Sequence, residues 1–274
     1  MSDLSGRTFS ICKMNRMKDQ LTILSFDGTF DGLLTLVYES FRLKVVPDLI
    51  VNGGDQGLTL FDRPLFIAAE AEKAERVWKR VKERTSDEGA YRLYMVYLSE
   101  MADAPQLIYR YIRHMTESRH NIETDFAHPA VTDVLKIHRK VMREAHRIQM
   151  FTRFQQTAVN SYYASFAPKY NVLPVSIAHF RDRFAGQEWV IYDLLRNFGF
   201  HHCNGEIERI SFEALPASVL TGNLDDKFLH PDEKQFRKLW KEYYHSISIE
   251  NRKNPKLHRQ LLPKRFWRYL PEKQ

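Results

Sequence analysis

Residues 129–167 read PAVTDVLKIHRKVMREAHRIQMFTRFQQTAVNSYYASFA, and the hydrophobic period changes inside this stretch. From Pro129 to about Ile148, Val131, Val134, Leu135, His138, Val141, Met142, Ala145 and Ile148 fall on one arc at 100° per residue, which predicts an amphipathic helix. Because that arc must be buried, Lys136, Arg139, Lys140, Arg143 and Arg147 turn outward together on a rigid element. Beyond it the period drops to two. Met150–Gln155 and Tyr162–Ala167 are expected to be strands, with Arg153 alternating against Phe154. A helix followed directly by sheet makes the chain α+β.

Upstream, the pattern is mainly helical. Thr22–Phe26 is a short apolar strand ended by Asp27 and Gly28, and Phe30 to about Lys44 is helical, with Pro47 beyond it. Leu58–Phe61 is expected to be a further strand, and 69–82, 86–100 and 105–117 are expected to be helices. In Asp27-Gly28-Thr29-Phe30-Asp31-Gly32 the two carboxylates have the wrong sign for a phosphate loop, so Asp27 or Thr29 is expected to cap the helix while Gly28 makes the turn. Downstream, Asn171 and Pro174 precede a short helix ending near Phe184, and Trp189–Tyr192 is a strand. Asn204-Gly205 joins Phe200–Cys203 to Glu206–Phe212 as a type I′ hairpin. Residues 232–250 form a helix expected to bury Phe236, Leu239, Trp240, Tyr243 and Tyr244. The fold expected is a mainly helical N-terminal half packed with an antiparallel sheet and closed by a C-terminal helix and a basic aromatic tail. Residues 1–21 are read as an extension, 22–128 as the helical part, 129–250 as basic helix, sheet and closing helix, and 251–270 as the tail.

Charge narrows the function. The 274 residues are 43% hydrophobic and 27% charged, which excludes a disordered or collagen-like chain. The net +7 is uneven: residues 1–128 carry −2, 129–212 carry +4, 213–250 carry −2, and 251–274 carry +7 with eight basic side chains and one acidic. A localised positive surface is the pattern that holds an anionic partner. On these grounds Lys136, Arg139, Lys140, Arg143, Arg147, Arg153, Arg183, Arg265, Trp267, Arg268 and Tyr269 are the expected nucleic-acid contacts, the cations on phosphate and the tail aromatics stacking on bases. A tail that folds back would instead use Trp267 to close the core.

Catalysis has a weaker footing. Asp193 and Arg196 are three apart with His179, Arg183 and Gln187 just upstream; these suit a carboxylate oriented by a guanidinium, with Asp193, His179 and Arg183 as candidate catalytic groups. His201 and Cys203 share a strand face and His202 points away, which leaves two ligands rather than four, so no metal and no cofactor are expected. With only Cys12 and Cys203, neither a disulfide framework nor an all-thiolate cluster can form within one chain. No secretory segment and no run of 18 apolar residues is found, so a cytoplasmic protein without membrane contact is expected.

Several of these stretches, taken in order, resemble one bacterial family. They are Phe26–Gly32, Arg153-Phe154-Gln155, His179-Phe180, Arg183-Phe184, Gln187, Trp189–Asp193 and Arg196, followed by Trp240, Tyr243-Tyr244, Ile249, Arg252, Asn254, Pro263, Arg265, Trp267 and Leu270. The family is domain of unknown function 4130, whose members are labelled probable DNA metabolism proteins, and the resemblance runs from about Thr22 to Leu270. It implies one continuous unit and a link to a radical SAM partner in DNA modification or repair. Two cysteines cannot supply the three-thiolate cluster of such an enzyme, so the resemblance casts the chain as a nucleic-acid-binding accessory module. The alternatives are an enzyme acting on nucleic acid or nucleotide through Asp193, His179 and Arg183, and a protein-docking scaffold.

Overall fold

The central strand of the first sheet is Ile-Leu-Ser-Phe, an apolar run without alternation, and all four residues are buried. Burial on both faces is what a parallel sheet asks of its middle strand. This strand, β1 (Ile23–Phe26), pairs in parallel with β2 (Leu49–Asn52) on one side and β3 (Leu65–Ile67) on the other. The structure is a computed structural model that describes residues 21–53, 64–213 and 222–274, so the strand expected at Leu58–Phe61 lies outside the described residues. The parallel strands β2 and β3 add to the mainly helical reading of this half, which placed no strand at either position.

The chain divides between His138 and Arg139 into two compact units. In the first, α1 (Phe30–Leu43) is the crossover from β1 to β2, and it starts as the sequence requires. The Thr29 hydroxyl accepts the Gly32 N–H, Asp27 accepts both the N–H and the hydroxyl of Thr29, and Gly28 turns at φ 84°. Helix α2 (Ala71–Arg84) packs on α1. After it come α3 (Asp87–Tyr97), capped by Ser86, and α4 (Ala104–Glu117). Glu123 takes both the N–H and the hydroxyl of Ser86, tying the segment after α4 to the start of α3.

His128, just before the long helix, stacks on His114 with ring centroids 3.7 Å apart. Burial first, and then the neighbouring His114, lower its pKa below the usual 6.5. The native state therefore binds this proton less tightly than the unfolded chain. The stabilisation is fully present above about pH 6.5 and is lost as pH falls from there through the lowered native value. Thermal melts of the protein at about pH 7.5 and 5.5 are expected to show a loss of stability at the lower pH. His128→Gln should shrink that loss, and an unchanged pH dependence in the variant would refute the assignment.

Helix α5 (Pro129–Phe151) crosses the division between the units. It runs past Ile148, and Thr152 closes it by donating both N–H and hydroxyl to the Ile148 carbonyl. The strand expected at Met150–Gln155 is therefore corrected to the last turn of a helix and two strand residues, β4 (Gln155–Gln156). The alternation of MFTRFQ fits either period over so short a length. In the second unit β4, β5 (Tyr162–Phe166), β6 (Trp189–Asp193), β7 (Phe198–Cys203) and β8 (Glu206–Ile210) form one sheet in chain order. All pairs are antiparallel except β5 with β6, which are parallel and joined through α6 (Leu173–Arg183), so the sheet is mixed. Asn204 and Gly205, at φ 51° and 86°, make the expected two-residue turn between β7 and β8.

Helix α7 (Glu233–Ser246) overturns one expectation. Its aromatic stripe was expected to be buried, yet Phe236 is 58% exposed, Leu239 51% and Tyr243 55%. A polar set anchors the helix instead. Glu233 is buried and accepts from Arg237 and from the Gln156 N–H, and Arg237 also donates to Gln155. The tail follows through α8 (Pro255–Leu261), capped by Asn254, and two short 3-10 segments, Lys264–Tyr269 and Pro271–Lys273. It folds back: Leu262, Phe266, Tyr269 and Leu270 are all buried in the second unit. Among the described residues no helix is long and apolar enough to cross a membrane.

Candidate functional site

The second half of α5 contains one carboxylate, Glu144, and it faces inward at 2% exposure. Its Oε1 accepts the Lys169 N–H at 2.9 Å, and its Oε2 pairs with Arg265 of the tail and lies 3.6 Å from Arg147. Arg147 in turn donates to the Gln260 carbonyl at the end of α8. The tail is thus seated against the C-terminal turns of α5, and the acid that would have weakened a positive face is buried beneath it. Arg139, Lys140 and Arg143 are exposed, and none has a hydrogen bond or ion pair among the described residues. Lys136, on the part of α5 that belongs to the first unit, is held by Asp133 at 2.9 Å.

Not every expected contact residue remains available. Arg153 donates to Glu272 at 2.9 Å and lies over the Trp240 ring, so its charge is committed inside the fold. Tyr269 is 9% exposed and offers no free ring face for a base, which removes it from the expected stacking set. Trp267 is half-buried, and its indole N–H donates to the Leu262 carbonyl. Arg265 and Arg147 serve Glu144, while Arg268 is exposed with its guanidinium 4.7 Å from the Tyr269 ring centroid. Aromatic burial explains the change: a short tail of Phe, Trp, Tyr and Leu gains more by covering core than by remaining in water.

The Asp193 constellation is not assembled. Asp193 is fully buried; Oδ1 accepts the N–H groups of Leu195 and Arg196, and Oδ2 accepts Arg196 Nη1 at 2.8 Å. Arg196 also donates to the carbonyls of Pro168 and Lys169, so the pair fastens the turn after β6 to the loop after β5. Burial raises the Asp193 pKa above the ordinary carboxylate value, against the pull of Arg196 and the two backbone donors. Neither His179, beside Phe180, nor Arg183, exposed over the Phe184 ring, shares a hydrogen bond or ion pair with it. Among the described residues the Asp193–Arg196 pair ties two loops together, and His179 and Arg183 do not join it.

One cluster was missed. His201 and Cys203 share a face of β7 as expected, and Glu188, just before β6, joins them with its Oε1 2.9 Å from His201 Nε2. Only the antiparallel register of β6 on β7 brings Glu188 there, and that pairing cannot be read from either segment alone.

Fold and site together define an α+β protein with a bare cationic helix face flanked by a docked basic tail. The chain belongs to the family described as domain of unknown function DUF4130, whose model matches residues 102–272. That match is narrower than the resemblance traced from Thr22, and Phe26–Gly32 lies outside it. No curated protein and no solved structure matches the chain.

Proposed function

We propose that the second unit binds nucleic acid through Arg139, Lys140 and Arg143 of α5 together with the exposed cations Lys256, Arg259, Lys264 and Arg268 of the tail, as an accessory module in DNA modification or repair. The observation that carries this reading is the burial of Glu144, which leaves the exposed side of the second half of α5 with cations and no acid. Such a surface positions a phosphate backbone by counterion release and reads no base edge, so the binding it supports is salt-dependent and tolerant of sequence. The radical SAM partner and the DNA metabolism role implied by the resemblance enter as the reaction this module serves.

Fluorescence anisotropy with labelled single- and double-stranded DNA tests it. Affinity is expected to fall steeply between about 50 and 200 mM salt. The triple variant Arg139→Ala/Lys140→Ala/Arg143→Ala is expected to lose at least about tenfold in affinity and to flatten the slope of log K on log salt by about 2.7. Wild-type protein without affinity at low salt, or a triple variant that binds equally well, would refute the proposal.

The exposed aromatic stripe on α7 favours a second reading, the docking of a partner protein. Under it, Phe236→Ser/Tyr243→Ser leaves DNA affinity unchanged but abolishes complex formation with a radical SAM partner on co-expression; a complex that survives the double variant would count against this reading.

A further inference from the structure

The sheet of the second unit carries a set of donors that nucleic-acid binding does not use. On one face of the β6–β7–β8 ladder stand Glu188, His201 and Cys203, whose ligand atoms all lie within 4.8 Å of one another. Cross-strand pairing adds Glu208 opposite His201 and Glu206 opposite Cys203 on that same face. The arginine of this hairpin, Arg209, pairs with Phe200, faces the other way and lies 4.5 Å from the Phe198 ring centroid. The face therefore collects an imidazole, a thiol and three carboxylates with no cation from β8 among them.

We propose that Glu188, His201 and Cys203 bind a single zinc-class transition-metal ion, with the fourth coordination position open to water or an exogenous ligand. The donor set selects the metal class. A thiolate with an imidazole and one carboxylate suits a borderline ion such as Zn²⁺ and disfavours Mg²⁺ or Ca²⁺, which take oxygen shells. Geometry allows it: bonds of about 2.0 Å to nitrogen and oxygen and 2.3 Å to sulfur put tetrahedral ligand atoms roughly 3.3–3.6 Å apart, so small side-chain rotations close the shell. His201 Nε2 already points at Glu188, which fixes the ring nitrogen that would ligate. The backbone beneath is held on both sides, because the Glu188 carbonyl accepts the Tyr162 N–H and the Gln187 carbonyl contacts His202 Nδ1 at 2.8 Å. Glu206 and Glu208 add negative potential without entering the shell. On binding, the Cys203 thiol gives its proton to solvent and the thiolate sulfur donates its lone pair to the ion.

The test is a Co²⁺ titration of metal-stripped full-length protein carrying Cys12→Ser, so that Cys203 is the one thiol in the chain. A near-ultraviolet thiolate-to-cobalt charge-transfer band with visible d–d bands is expected at micromolar metal, with one equivalent of Zn²⁺ displacing the cobalt. Cys203→Ser should remove the charge-transfer band. His201→Ala and the exposed Glu188→Gln should each weaken binding by about tenfold or more, since even loss of an outer-sphere partner costs 10–100-fold. Circular dichroism separates loss of ligand from loss of fold, and protection of Cys203 from alkylation by Zn²⁺ gives an independent readout. No charge-transfer band, or binding only at millimolar metal that persists in the His201 and Glu188 variants, would mean an adventitious ion only and would overturn the proposal.

Discussion

Replacing Arg196 with methionine is expected to remove about 3–5 kcal/mol of stability at neutral pH and to lower the thermal midpoint by about 10 °C or more. The reason is what is left behind. Asp193 is fully buried, Arg196 is its partner at 2.8 Å, and methionine replaces the guanidinium volume without its charge. Two backbone N–H groups remain on Oδ1, which is too little for an ionised carboxylate in the interior, and the carbonyls of Pro168 and Lys169 lose a donor as well. The pH dependence gives a second readout. Burial already raises the Asp193 pKa, so the native state binds its proton more tightly than the unfolded chain, and stability is lost as pH rises from about 3.8 through the native value. Removing Arg196 raises that value further, so the deficit of the variant is largest at neutral pH and shrinks on acidification. Adding Asp193→Asn to the variant should restore more than half of the loss. DNA affinity measured below the melting transition should stay at the wild-type level, as a purely structural tie requires. An Arg196→Met protein as stable as wild type would leave the buried carboxylate without an explanation.

The same residues show where sequence legibility ends. Helix α1 was readable to within a residue because Thr29, Gly28 and the three-and-four spacing of Leu33, Leu34 and Val37 are local signals, and the Asn204-Gly205 turn is equally local. The parallel strands β2 and β3 were not readable. They have four and three residues, too few for alternation to show, and their pairing with β1 is set by a crossover rather than by a turn. The stripe on α5 was legible as outward-facing, since an amphipathic arc fixes its own opposite face. Which cations on it stay unpaired was not, because Glu144 finds Arg265 from 121 residues away. On α7 the pattern did mislead. An apolar stripe states which residues would share a buried face, but not whether the fold supplies anything to cover it, and here Glu233 and the Trp240 indole fasten the helix by polar contacts while Phe236, Leu239 and Tyr243 stay in water. Glu188 marks the same limit from the other direction. A lone acid before a strand carries no signal until the register of the next strand is known.

The tail supplies the other large effect. Leu270→Ala is expected to cost about 3–4 kcal/mol, in the upper part of the range for a leucine whose site cannot collapse. Leu270 is fully buried four residues from Phe266, at 3% exposure, and the segment Lys264–Tyr269 that carries Phe266 packs on β5. Collapse is resisted from both ends. Arg265 is held to Glu144 on α5, and Glu272 receives Arg153 Nη2 at 2.9 Å and the Trp240 indole N–H at 2.9 Å. The chain on either side of Leu270 is therefore pinned, and the space left by three carbons stays open. Chemical denaturation is expected to show a lowered midpoint with the denaturant slope preserved. Hydrogen exchange should accelerate in β5 and in residues 264–270 before it does in the first unit. This result bears on nucleic-acid binding too, because Arg259, Lys264 and Arg268 are placed by that docking. If Leu270→Ala loosens the tail, the salt dependence of DNA affinity should flatten while the contribution of Arg139, Lys140 and Arg143 persists. A variant with unchanged stability would mean that Leu270 is not the wedge that its burial implies, and unchanged DNA affinity with a loosened tail would restrict the interface to α5.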